Sequence, residues 1–174
     1  VSPYIAPHGQ QVDNNGTLYA SCDLSRKLLI IDPKSQKIQA AIDTDGTGHW
    51  SAVLPDGSKA YVANKNDRLF VSVIDLKARK MIGQVPMPKG TQGITASPDG
   101  KLVIAIDFRD PKFYLIDTAT DKIVDTVVVE KNTVGPFRAR YSPDGSILMT
   151  ANSSNPLANI FDAKNLHAPQ KTVP

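Results

Sequence analysis

The chain has 174 residues, 41% of them hydrophobic and 21% charged, enough for one domain with a sizeable core and unlike a disordered chain. Its formal net charge is +3, with 20 Lys and Arg scattered among 17 Asp and Glu, and no basic run or basic helix marks it for nucleic acid. The longest apolar runs, Leu28 to Ile31 and Val127 to Val129, are strand-sized, so nothing in the sequence reads as a membrane-spanning helix.

Residues 1–7 read as the tail of a preceding outer strand, and the absence of an initiator Met leads us to expect a processed chain or a piece of a longer one. Four units follow, each of four strands, A to D. Unit one has Gln10 to Asp13, Leu18 to Ser21, Leu28 to Ile31 and Ile38 to Ile42. Unit two has Ser51 to Leu54, Ala60 to Asn64, Phe70 to Ile74 and Met81 to Val85. Unit three has Ile94 to Ser97, Leu102 to Asp107, Phe113 to Ile116 and Ile123 to Val129. Unit four has Ala139 to Ser142, Ile147 to Asn152, Ala158 to Phe161 and a weak last strand near Lys171 to Val173. No segment carries a helical period.

Two landmarks keep step through the units. The A-to-B turn glycines Gly16, Gly57, Gly100 and Gly145 are 41, 43 and 45 residues apart. The aspartates that open the C-to-D turns, Asp32, Asp75, Asp117 and Asp162, are 43, 42 and 45 apart. A period of about 40 to 50 residues with several strands per unit predicts the blades of an all-β propeller. The expected blades are 8–48, 49–91, 92–136 and 137–174 of a single segment, 1–174. Four such blades make an arc with two open radial edges, which invite pairing.

The turns carry a family signature. Ser97-Pro98-Asp99-Gly100-Lys101, Leu54-Pro55-Asp56-Gly57-Ser58-Lys59-Ala60-Tyr61-Val62-Ala63-Asn64 and Ser142-Pro143-Asp144-Gly145 resemble the YVTN-type β-propeller repeat. Tyr61-Val62-Ala63-Asn64 is close to the signature itself, with Ala for Thr, while Val73-Ile74-Asp75 and Ile116-Asp117-Thr118 match its second half. Units one and four depart from it, at Asn14-Asn15-Gly16 and after Asp162, as end blades of an arc would. The resemblance implies an arc of a larger seven- or eight-bladed propeller, completed by remaining blades or by a second copy in a homodimer. It also implies a bacterial or archaeal protein exported to the periplasm or surface, and relatives that include haem- and copper-dependent redox propellers.

In a propeller the D-to-A connectors and B-to-C loops share one face. His8, His49, Gln92 and Phe137 hold the same repeat position at the channel mouth, followed by Gly9, Trp50, Gly93 and Arg138. Two imidazoles from adjacent blades suit copper, zinc or the rim of a haem. Two histidines alone do not complete a metal site, and each can equally cap a strand. Arg26, Lys65, Arg68, Arg109 and Arg138 make the rim basic, fit for a small anionic ligand, unless the interleaved Asp23, Asp67 and Asp110 leave it a solvated surface. Trp50 can stack on a ligand or pack between blades.

The remaining groups read as structural. Cys22, the single cysteine, excludes an internal disulfide and reads first as a packing thiol; His167 reads as surface. Asp56, Asp99 and Asp144 read as turn residues on the opposite face. The sequence holds no Ser-His-Asp spacing, phosphate loop or Cys-x-x-Cys pair, and Gly46-Thr47-Gly48 lacks the helix that a nucleotide loop needs. The first expectation is therefore an exported, non-catalytic binding or scaffold module that holds a small anionic ligand or a protein partner at the channel mouth. The alternative is part of a periplasmic copper- or haem-dependent oxidoreductase, with His8 and His49 near the cofactor.

Overall fold

The computed structural model describes residues 2–65, 68–130, 135–152 and 156–173. These form four antiparallel sheets of four strands, each sheet in chain order. Blade one holds β1 (Pro7–Val12), β2 (Leu18–Cys22), β3 (Lys27–Asp32) and β4 (Lys37–Asp43). Blade two holds β5 (Gly48–Val53), β6 (Lys59–Asn64), β7 (Phe70–Asp75) and β8 (Lys80–Pro86). Blade three holds β9 (Thr91–Ala96), β10 (Leu102–Asp107), β11 (Lys112–Asp117) and β12 (Lys122–Val128). Blade four holds β13 (Arg138–Tyr141), β14 (Ile147–Ala151), β15 (Ala158–Asp162) and β16 (Lys171–Val173). The segment ahead of β1, expected to end an outer strand, is turn and coil over residues 2–6.

The strand patterns show how the sheets stack. β6, β7, β10 and β11 are buried along most of their length, because both of their faces meet a neighbouring blade. The outer strands β8 and β12 alternate instead, one face inward and one to solvent. The apolar core accordingly lies between blades. Tyr19, Leu28 and Ile30 of blade one meet Val62 and Ile74 of blade two. Tyr61, Val71 and Val73 of blade two meet Val103, Tyr114 and Ile116 of blade three. Ile104, Ile106 and Phe113 of blade three meet Leu148 and Phe161 of blade four. Among the described residues the far face of blade four has no such partner: β14 alternates, with Ile147 and Met149 exposed. The molecule is a partial propeller, with inner strands β1, β5, β9 and β13 packed in succession.

The landmark turns are held as their sequence suggests. Gly16, Gly57, Gly100 and Gly145 all have positive φ, between 69° and 80°. Asp56, Asp99 and Asp144 each accept the backbone N–H two residues on, from Ser58, Lys101 and Ser146. Asp32 and Asp162 do the same for Lys34 and Lys164. These carboxylates hold turns.

Buried tyrosines tie strands and blades together. Tyr19 Oη donates to Asp13 at 3.0 Å, and Tyr114 Oη donates to Asp107 at 3.1 Å. Tyr61 Oη, in blade two, donates to Asp121 in blade three, whose carboxylate also receives Lys59 Nζ at 2.8 Å. Burial first, and the Asp13 carboxylate second, push the Tyr19 phenol up to about 12. Burial pushes Tyr141 up to about 12 as well. Between the unfolded value, about 10, and these raised values, the unfolded chain has released protons that the folded chain retains. Stability is therefore expected to fall as pH rises from about 10 to about 12, and absorbance at the phenolate band is expected to rise together with unfolding. A full phenolate signal near pH 10 with the fold intact would contradict this.

Candidate functional site at the channel mouth

The first three inner strands start earlier than their periodicity suggests. Each carries a register shift at the same repeat position: between Pro7 and Gln10, between Gly48 and Trp50, and between Thr91 and Ile94. His8, His49 and Gln92 thus lie within bulged strands rather than in connectors ahead of them. A bulge interrupts the alternation of side chains and re-aims the extra residue, here at the channel mouth.

Two glycines let the blades close in at this level. A Cβ on Gly9 would lie 2.6 Å from the His49 carbonyl oxygen and 2.8 Å from Trp50 Cα. A Cβ on Gly93 would lie 2.7 Å from the Phe137 carbonyl oxygen. With those side chains absent, four residues from three blades form one stack. The His8 and His49 rings lie 3.7 Å apart with 27° between their planes. His8 meets the edge of Trp50 at 4.8 Å, and the Arg138 guanidinium of blade four lies over the Trp50 ring at 3.3 Å.

Behind the stack stands Asp23, the first residue after β2. His49 Nδ1–H donates to Asp23 Oδ2 at 2.6 Å. The carboxylate is placed by its own backbone: Asp23 N–H donates to Ala6 O at 3.0 Å, and Arg26 N–H closes the loop onto Asp23 O at 3.2 Å. Thr44 N–H, on the connector ahead of β5, donates to Arg26 O at 3.0 Å. Loop and connector therefore share one face, as propeller topology requires. Burial holds the His49 imidazole below its ordinary pKa against the opposite pull of Asp23, and His8 adds to the lowering. The Asp23 bond orients the ring and sets its tautomer.

Several polar atoms here are buried with no hydrogen-bond partner among the described residues: Asp23 Oδ1, Trp50 Nε1, Thr91 Oγ1 and Gln92 Nε2. Such atoms are uncommon in folded proteins, and each carries a desolvation penalty of about 1–3 kcal/mol unless something binds it. Arg138 also forms no ion pair among the described residues. Burial lowers its pKa, and Arg140 adds to the effect.

The other candidates fall elsewhere. Gln92 occupies the equivalent position one blade on and is 1% exposed. Arg26, Arg68 and Arg109 are exposed along the rim, and Arg109 lies over Phe108 at 5.4 Å rather than over the stack. Asp110 is taken by Lys89 at 2.7 Å and Lys112 at 3.2 Å, whereas Asp67 and Ser153 to Asn155 lie outside the described residues. Cys22 is fully buried against Ala20, Leu29 and Ile31, and burial raises its thiol pKa. His167 pairs with Asp125 at 2.8 Å on the surface. Sequence reasoning treated Asp23 as rim charge and missed it as the partner of His49.

Comparison with known proteins agrees with this architecture. Residues 21–171 match the family model described as Cytochrome D1 heme domain, a span that holds Asp23, His49, Trp50 and Arg138 but starts after His8. Among solved structures the chain is similar to Kuenenia stuttgartiensis Hydrazine Synthase, with a TM-score of 0.85 and 23% identity over 99% of this chain. It spans 50% of that chain, and at this identity the likeness concerns the fold. No curated protein matches the chain.

Proposed function

The chain belongs to the cytochrome D1 heme-domain family, and from that premise we propose that its channel mouth binds an anionic, carboxylate-bearing ligand, with haem the form the family favours. One observation carries the reading. Arg138 is a half-buried guanidinium stacked at 3.3 Å on Trp50, whose ring also meets His8, and it has no carboxylate partner among the described residues. A guanidinium partly withdrawn from water is stabilised by a bidentate anion, and carboxylates match its fork. Trp50 Nε1–H and Gln92 Nε2, both buried with no hydrogen-bond partner among the described residues, add donors of the same polarity.

The residues present fit a haem by donor type. Imidazole nitrogen is a ligand type for haem iron, which His8 or His49 would supply, and Arg138 would neutralise a propionate. Haem, when bound, supplies iron-centred redox chemistry. This chain's residues hold, orient and neutralise. The remaining reading is of an exported binding module, periplasmic or surface-located, whose ring is completed by further blades or a second copy.

Titration of the full chain with haem tests the proposal. A saturable shift of the main absorption band at one haem per chain is expected. Metal-free porphyrin with the same carboxylates is expected to bind more weakly, and Arg138→Ala is expected to lower the affinity for both at least tenfold. His8→Ala with His49→Ala is expected to remove the iron-specific band shift but not porphyrin binding. Failure of haem and porphyrin alike to bind would overturn the reading.

A further inference from the structure

We infer that His8, Asp23 and His49 form a binding site for one divalent transition-metal ion, of the zinc or copper class, that needs no porphyrin. Each residue offers one ligand atom, and the three atoms lie within 4.8 Å of one another. Two imidazoles and one carboxylate form a donor set suited to divalent zinc, copper or iron. The carboxylate is what completes the pair: two histidines alone are too few, whereas three protein ligands leave coordination open for a further group.

The distances show what must move. Metal–ligand bonds of about 2.0–2.2 Å place neighbouring ligand atoms roughly 3.0–3.5 Å apart, so the widest gap must close by somewhat over 1 Å. His49 is buried and fixed by Asp23. His8 is exposed and stands in the bulge between Pro7 and Gln10, outside the regular ladder, so it is the residue free to move. Its present position, stacked at 3.7 Å on His49, holds the two rings nearly parallel rather than converging, and metal binding must open that stack. Asp23 Oδ2 accepts from His49 Nδ1 at 2.6 Å, so an ion held by both displaces the Nδ1 proton and takes the place of this bond, while Oδ1 is buried with no partner among the described residues. A buried carboxylate oxygen beside two imidazoles is a seat for a cation.

The inference depends on the proposed function in one respect. The open coordination side shares the channel mouth with Arg138, so an anion held there is positioned to complete the ion's shell. The experiment uses the full chain stripped with chelator, with Co²⁺ as the optical probe and Zn²⁺ by calorimetry. One ion per chain is expected. His8→Ala and Asp23→Asn are each expected to weaken binding at least tenfold, and His167→Ala, at the surface pair with Asp125, to change it less than threefold. His8→Ala removes an exposed side chain, so it keeps the test valid if His49→Ala fails to fold. Unchanged affinity in His8→Ala or Asp23→Asn would overturn the three-donor site. Haem binding without Co²⁺ or Zn²⁺ binding would overturn this inference and leave the proposed function standing. Metal binding with no haem or porphyrin binding would do the reverse.

Discussion

Gly9→Ala is expected to destabilise the chain by about 3 kcal/mol and to part blade one from blade two at the channel mouth. The added Cβ would lie 2.6 Å from the His49 carbonyl oxygen, 2.8 Å from Trp50 Cα and 3.1 Å from Trp50 Cε3. The two nearest obstacles are backbone, so no rotamer change relieves them. β1 must shift away from β5, and His8 shifts with it. The stacking distance to His49, 3.7 Å, then grows. Trp50 fluorescence is expected to change, and Co²⁺ affinity to fall at least tenfold, although no donor atom has been removed. Gly83→Ala is the control, because a Cβ there meets only Val73 Cβ at 4.0 Å. It should stay within about 1 kcal/mol of the parent in urea denaturation. If Gly9→Ala proved as mild as Gly83→Ala, the close approach of β1 and β5 would not be what builds the site.

The fold was legible because two unrelated landmarks repeat together, a glycine that needs positive φ and an aspartate that caps a turn. Each is a local backbone requirement, so each survives in the sequence. The starts of the inner strands were not legible. Strand recognition depends on alternation, and the bulges at His8, His49 and Gln92 break it at the positions that matter for the site. The shared repeat position of His8 and His49 was visible. Their direct contact depends on Gly9, whose missing side chain leaves no apolar signal. The reach of Arg138 across blade three to Trp50 depends on Gly93 in the same way. Asp23 was hidden for a different reason. Its pairing with His49 follows from which loop faces which connector, and its composition alone is that of any rim carboxylate.

Phe161→Ala is expected to destabilise the chain by about 3–5 kcal/mol, concentrated in blade four. Phe161 in β15 is 1% exposed and meets Phe113 of β11 edge-on, with ring centroids 5.4 Å apart. The pair anchors the cluster that joins blades three and four, with Ile104, Leu148 and Leu166 around it. Truncation leaves a cavity there and removes an aromatic pair worth about 0.5–1.5 kcal/mol beyond its buried area. The far face of blade four is exposed at Ile147 and Met149, so the blade has little else to hold it. In a chain of stacked repeats each unit is stabilised chiefly by its neighbours, so the loss should appear as local opening rather than uniform weakening. Hydrogen exchange is expected to show β13 to β16 losing protection while β1 to β8 keep theirs. The cluster between blades one and two shares no residue with the one that Phe161 anchors. Arg138 sits on β13, whereas His8, Asp23 and His49 sit on blades one and two, so porphyrin affinity should fall while Co²⁺ affinity holds. Equal loss of protection in all four blades would instead make the arc one cooperative unit, with anion and metal binding rising and falling together.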